Sequence, residues 1–429
     1  MNQRCITVRE HARLTTAETP DSLDRAQVSV TAFDWLCQLQ AGFSKSGARL
    51  VEVEDRRWLR LDNFVGVVQT PCGTLIEILP KHYEEGEDLA KSRALLCKLI
   101  ASALNIPHRQ TDAAALQLFR YPLSEWVMRQ FLDALNTLLK RGLRFEYQQV
   151  EEELSCLRGQ LDMSRQMRQP PTRQHLFHLR HALFLPDRAE NRLLRLALDK
   201  VCQTTQESGN WRLSHEMSGV MQAVPPSRQV KFDFSRWGED RLMAHYRAIR
   251  PWCELVLGEH MPLAVQGEAR GISLLFPMER LFEQHVAAMM KRALTPGATL
   301  RTQAKNRWLA RHKDTDLFLL KPDMAIAHYD RQWVLDTKWK RLNSIKHDGK
   351  YDIDQGDFYQ MLAYGMRYMD GIGDMVLVYP RSPVFRQPLA PFSFPAGLTL
   401  HAWPFDLDLD ELIVPVGHGL PLASVPQPA

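Results

Sequence analysis

The spacing at which apolar residues recur changes twice along this 429-residue chain, and nothing else in the sequence limits the fold as much. Up to about residue 85 they fall in short β-like runs: Ala48 to Val53, Trp58 to Leu61, Phe64 to Gln69 and Leu75 to Leu79. The last two flank a turn sequence, Thr70-Pro71-Cys72-Gly73, and one helix is expected near Phe33 to Leu39. From about 88 to 258 a helical period takes over, in Leu89 to Leu104, Leu116 to Leu139, Asn191 to Thr205 and Arg241 to Leu257. Strand-like Arg144 to Val150 interrupts it, and Gln169-Pro170-Pro171 and Val224-Pro225-Pro226 break it into pieces. Beyond about 262, helix and strand alternate as in an α/β domain.

Such a chain is too long for one ordinary core and has no internal repeat, so it is expected to be an α+β multidomain protein. The expected parts are a small β-rich N-terminal domain over residues 1–85, a mainly helical region over 86–260 and a C-terminal α/β domain over 261–429. Pro-rich loops recur from Ser382 to Pro395, and the tail after Gly417 is expected to be mobile.

Several classes are disfavoured early. The start, MNQRCITVRE, has no apolar segment behind its charges and does not read as a secretory signal. The longest apolar run, Ala94 to Ile106, contains Lys98 and is too short to cross a bilayer, so no membrane partner is expected. Seven cysteines lie between Cys5 and Cys253 without a CxxC pair, which argues against a disulfide framework or zinc knuckle and for a reducing, cytoplasmic setting. A net charge of +4 and a pI near 8.6 permit DNA binding without announcing it.

The chemistry concentrates in the last third. Phe318 to Ile326 and Gln332 to Trp339 read as strands joined by the polar turn His328-Tyr329-Asp330-Arg331. In the second strand a period of two sends Val334, Asp336, Lys338 and Lys340 to one face, and Asp323 reaches the same place if the hairpin pairs suitably. Phosphodiester cleavage needs a hard divalent cation on carboxylate oxygens and a nearby positive charge, and two acids with a lysine supply both needs. Lys338 would transfer protons only with a lowered pKa. The bland alternative is an ordinary hairpin with charged positions, because PD and DxK are each common.

Helix Met278 to Leu294 adds a third acid. Its apolar arc of Leu281, Phe282, Val286, Met289, Met290 and Leu294 includes the position of Glu283, and a carboxylate on a buried face needs a partner. Glu279 is the substitute, although in the first turn the helix dipole suffices to explain it. After the lysine, Lys340, Arg341, Lys346, His347 and Lys350 form a loop that either holds phosphates or is simply solvated. Next, Gln360 and Tyr364 share a helix face at i, i+4.

The PD…(D/E)xK pattern around Asp323, Asp336 and Lys338 resembles that of a large nuclease superfamily, and a QxxxY pair after DxK recurs in its RecB-like members. The order Glu283, Asp323, Asp336-x-Lys338, Gln360-xxx-Tyr364 resembles the McrC family in particular. Upstream stretches resemble it too: Phe64-Val65-Gly66-Val67 with Ile76-Glu77-Ile78-Leu79-Pro80-Lys81, Gly142 to Tyr147, Leu157-Arg158-Gly159-Gln160-Leu161, Glu190-Asn191-Arg192-Leu193-Leu194 and Leu281-Phe282-Glu283. The resemblance spans roughly residues 60 to 380, and compact members lack a segment like the first 80 or so.

The resemblance implies a PD-(D/E)xK nuclease domain at the C-terminus and a partner-docking middle region. It implies an endodeoxyribonuclease that uses Mg²⁺ (or Mn²⁺) and works on DNA with a hexameric AAA+ GTPase like McrB, whose GTP hydrolysis it stimulates. The metal ligands would be Glu283, Asp323 and Asp336, with Lys338, Gln360 and Tyr364 completing the catalytic set. No GxxxxGK[ST] is present, in keeping with GTP hydrolysis by the partner. Rival readings are a non-catalytic adaptor of a GTPase ring and a stand-alone RecB-like nuclease. Arg158 and Arg192 read as structural before partner-binding residues. His175, His178 and His181 lack the i, i+4 spacing of a helical metal site, and Trp35, Trp58, Trp126 and Trp252 read as core.

Overall fold

A computed structural model describes residues 5–43, 50–54, 57–82, 89–104, 122–238, 240–258, 273–346, 350–394 and 397–423. Parts of several sequence expectations, residues 48–49, 105–106, 116–121, His347, Pro395 and 424–429, lie outside the described residues. The chain divides into two compact units, one of Met1–Arg120 with Leu275–Ala429 and one of Tyr121–Leu274. The N-terminal sheets therefore belong to the same unit as the C-terminal residues.

That first unit is built around a seven-stranded mixed sheet. Arg331–Thr337, Gly373–Pro380 and Leu398–Asp406 run parallel at its centre, with Thr299–Thr302 and Met324–His328 extending it antiparallel on one side. Central parallel strands must be apolar on both faces, and Val376, Leu377, Val378 and Tyr379 are all fully buried. Helix Gln355–Tyr368 provides the crossover between the first two parallel strands, capped by Asp354, whose side chain accepts from the Gly356 N–H. Its Met361 and Tyr364 join Val334, Met375 and Leu377 in one core. Gly365 is required there, because a Cβ would stand 2.6 Å from Met375 Sδ and 2.8 Å from Leu398.

The expected first strand, Phe318 to Ile326, is two strands. Pro322 has no N–H to give a ladder, so Thr315–Leu320 ends before it and Met324–His328 begins after it. Thr315–Leu320 pairs instead with Arg307–His312, as a two-stranded hairpin outside the large sheet. The turn at Tyr329-Asp330 forms as expected, with His328 opposite Arg331. The tail is anchored as far as Ala423, whose N–H donates to Ala293 O, while Thr295 N–H donates to Pro421 O.

Two four-stranded sheets complete this unit. In one, Cys5–Arg9 runs parallel to Leu75–Leu79, which pairs with Phe64–Gln69 across the expected turn. The other contains Arg25–Gln27, Arg13–Thr15, Trp58–Leu61 and Val51–Val53. Helices Leu89–Ala103 and Met278–Ala293 pack together; buried His285 links Ser102 Oγ (2.8 Å) to Asp410 (2.9 Å), which also pairs with Lys98 at 2.7 Å.

The second unit is mainly helical, with its core on Trp126, Phe131, Leu194, Leu198 and Trp252; the two indoles meet edge to face at 5.3 Å. It also carries a three-stranded antiparallel sheet of Glu146–Leu154, Phe177–Leu185 and Gln160–Leu161. His178 and His181 lie in the middle strand, three residues apart and so on opposite faces, each beside a glutamate. Trp126 and Trp252 are buried core residues, whereas Trp35 and Trp58 are only half-buried.

Candidate active site

Asp336 is the penultimate residue of the first central strand, 2% exposed, opposite Leu377 of the parallel neighbour and one step beyond the Met324–Leu335 rung. Two residues on, Lys338 points to the same side, and its Nζ stands 2.7 Å from Asp336 Oδ2. Helix Gln355–Tyr368 closes over this face. Lys338 Nζ donates to Gln360 Oε1 at 2.9 Å and pairs with Asp357 Oδ1 at 3.3 Å. Gln360 Nε2 in turn donates to Tyr364 Oη at 2.8 Å, and the Tyr364 hydroxyl donates to Lys321 O at 3.0 Å. The i, i+4 pair thus orients the lysine and ties it to the segment that leads into Asp323.

Asp323 follows Pro322 and is held by Thr337, whose N–H and hydroxyl both donate to its Oδ2 at 2.7 Å. Glu283 approaches from helix Met278–Ala293. Gln303 joins the two acids, its Nε2 donating to Glu283 Oε1 at 2.6 Å and to Asp323 Oδ1 at 3.4 Å. Glu279 is exposed in the first turn and takes no part. All six site residues expected from the sequence therefore lie in one connected set of hydrogen bonds, ion pairs and carboxylate repulsions.

Charge is crowded here. Burial, and next the neighbouring Asp323 carboxylate, push the Asp336 carboxyl up to about 7. Asp323 and Glu283 are also raised, mainly by burial, although Thr337 offsets part of it at Asp323. Burial opposes the Lys338 ammonium, but Asp336 and Asp357 outweigh it and hold its pKa above that of free lysine. With these acids as its partners the ammonium form of Lys338 is favoured, the opposite direction to the one proton transfer would need. Among the described residues no three His, Cys, Asp or Glu side chains stand ready-made around one metal position; Lys338, Thr337 and Gln303 occupy oxygens of the acids instead.

Several participants were invisible in the sequence. Asp357 pairs with both Lys338 and Lys340 (3.6 Å), yet in sequence it is only a first-turn acid. Gln303 sits in a loop at φ +49° with no periodicity around it. Trp339 packs on Phe282 at 5.3 Å and donates from its indole N–H to Glu10 Oε1 at 2.9 Å, across 329 positions. The basic loop after the lysine is largely committed within the chain: Lys340 to Asp354 and Asp357, Arg341 to the carbonyls of Lys81 and His82, and Lys346 to Asp352.

Residues 59–380 match the model of a family described as the McrBC 5-methylcytosine restriction system component. The chain belongs to this family. No curated protein matches it. Among solved structures, this McrBC component is similar to a chain of a refined half-complex from the tetradecameric assembly of Thermococcus gammatolerans McrB AAA+ hexamers with bound McrC. The TM-score is 0.69 at 19% identity over 94% of each chain, so the likeness of fold extends into the N-terminal sheets. A chain of the T. gammatolerans McrBC complex matches at TM-score 0.51 and 21% identity, over 67% of this chain and 87% of that one. Among the described residues of the family member, no helix is long and apolar enough to cross a membrane.

Proposed function

We propose that this McrBC component is the DNA-cleaving subunit of its restriction system, with its active centre at Asp323, Asp336 and Lys338. The observation that carries the reading is the pairing of buried Asp336 with half-buried Lys338, 2.7 Å apart at the end of a central parallel strand, with Asp323 and Glu283 adjoining. Hard carboxylate oxygens that raise one another's pKa suit a hard divalent ion, which would relieve their repulsion. Glu283, Asp323 and Asp336 would hold Mg²⁺ (or Mn²⁺), which supplies Lewis-acid activation of phosphate and water.

The remaining roles belong to the chain. Lys338 keeps its proton at Nζ and offsets negative charge developing on the phosphate. Gln360 fixes the ammonium, Tyr364 fixes Gln360, and Thr337 orients the Asp323 carboxylate. The McrB hexamers named with the similar T. gammatolerans chain support an AAA+ GTPase partner for this one.

The test is cleavage of plasmid DNA with the partner, GTP and Mg²⁺ present. Asp336→Ala or Lys338→Ala is expected to abolish cutting while the fold and partner binding persist; cutting by the purified double variant would break the reading. One observation favours a second reading, a non-catalytic activator of a GTPase ring: each acid already has a hydrogen-bonding or ionic partner inside the chain. Wild-type protein that stimulates GTP hydrolysis yet never cuts would establish that alternative.

A further inference from the structure

Exposed cations crowd the hairpin beside the acid cluster and the segments that lead into it. Residues 301–321 contain six Lys or Arg against two Asp, a surplus of +4 that equals the net charge of the whole chain, so the rest is neutral overall. All six are exposed. Among the described residues, only Asp314 comes within ion-pair distance of any of them, 3.9 Å from Arg311. The loop after Lys338 has its cations paired internally, whereas the hairpin holds its own out in solvent. Unpaired positive charge on a narrow projection is complementary to a polyanion.

The hairpin is rooted in the active centre. Its two stems meet where Gln303 N–H donates to Asp323 O at 2.9 Å, and the Gln303 side chain reaches Glu283 and Asp323. The helix that orients Lys338 clamps the other side: Tyr368 Oη donates to Ala304 O and Leu320 O, and Arg367 Nε donates to Trp308 O at 2.8 Å. Whatever the hairpin grips is thereby set in register with Asp323 and Asp336.

Its middle is strained outward. The ladder pairs Trp308 with Leu319 and Ala310 with Leu317 but skips Leu309 and Phe318, and Phe318 adopts φ +60°, a region that favours glycine. Phe318 is 71% exposed and Leu309 49%. An aromatic at positive φ that buries little within its own chain gains only if another surface covers it.

We propose that the hairpin Arg307–Leu320 is an arm that grips duplex DNA beside the scissile phosphate. Its cations contact backbone phosphates, and Phe318 packs in the groove between them. The assignment rests on the nuclease reading, yet it can be tested apart from it.

The test is binding of a fluorescent 30-base-pair duplex to the full-length chain in EDTA, over a range of salt concentrations, with thermal unfolding as the folding control. Arg307→Ala/Arg311→Ala/Lys313→Ala is expected to weaken binding about 10- to 100-fold and to lower the salt slope by about 2 to 3. Phe318→Gly is expected to keep or raise the melting temperature, because glycine suits that φ, while weakening binding about threefold or more. Asp336→Asn should bind at least as tightly as the wild type. Unchanged affinity and salt slope in the triple variant would overturn the proposal, as would salt-insensitive binding by the wild type. Loss of self-association with DNA binding intact would also overturn it and assign the arm to a second copy of this chain. Cleavage surviving Asp336→Asn would remove the nuclease reading, while the binding results would still decide the arm.

Discussion

Two groups of buried carboxylates in this protein are handled in opposite ways. In the helical unit Asp233 accepts from Arg192 Nη2 at 2.7 Å and Nε at 3.2 Å and from Ser227 Oγ at 2.6 Å, and Asp187 takes another guanidinium nitrogen at 2.9 Å. Burial opposes the Asp233 charge, but these partners outweigh it and lower its pKa, while Asp233 raises that of Arg192. Arg192 acts here as a structural tie within its own unit. At the other site, Asp323, Asp336 and Glu283 have one lysine, the Gln303 amide and Thr337 among them, and all three are raised. The contrast teaches that one network balances its charges inside the chain, whereas the acid cluster keeps carboxylates that burial and mutual repulsion disfavour.

The largest expected effect sharpens this contrast. Asp336→Asn should cost at least about 10³-fold in DNA cleavage, measured with saturating Mg²⁺. The same change should raise metal-free stability near pH 8: a carboxyl whose folded pKa is raised loses stability as pH rises through about 4 to 7, and the amide removes that loss. A lower melting temperature for this variant without metal would break the comparison.

Arg192→Ala should do the reverse, destabilising the fold by about 3 kcal/mol in urea titration, because it strands buried Asp233. A loss below about 1 kcal/mol would show that the network is ornamental to the fold.

Asp410 extends the comparison to the first unit. Burial opposes its charge, but hydrogen bonds from His285 and Lys98 outweigh it and lower its pKa to about 2. Its folded value lies below the unfolded one, so its contribution of about 2 kcal/mol is present above about pH 4 and lost as pH falls toward 2. The stability gap between wild type and Asp410→Asn, followed by thermal unfolding, should shrink over that window.

The smallest effect concerns Gln360. Gln360→Ala should lower the cleavage rate about tenfold, because Lys338 keeps its ion pairs with Asp336 and Asp357. A loss as large as that of Asp336→Asn would mean that the amide touches the reacting phosphate directly.

Much of the site could be read in the linear chain. A strand period of two puts Asp336 and Lys338 on one side, and a helical i, i+4 spacing pairs Gln360 with Tyr364, because both rules follow from backbone geometry within a few residues. Glu283 stood out as an acid on an apolar arc. Asp357, Gln303 and the Glu10–Trp339 contact did not stand out, since they meet by packing and carry no local period. The run Phe318 to Ile326 misled in the same way: apolar content marks strand, but it does not say which neighbour completes the ladder on either side of Pro322.

Residue order and side-chain chemistry alone settle that this chain carries two acids and a lysine on or beside neighbouring strands, a helical middle and a cluster of surplus cations between 301 and 321. Folding decides which acids face Lys338, that the cations after it lie against carboxylates while the hairpin's have only the distant Arg311–Asp314 pair among the described residues, and that residues before 120 share a unit with the acids. The division has a physical cause. Periodicity is set by bonds a few residues long, whereas the energy of a charge depends on burial and on distances through space to groups that any number of residues can separate.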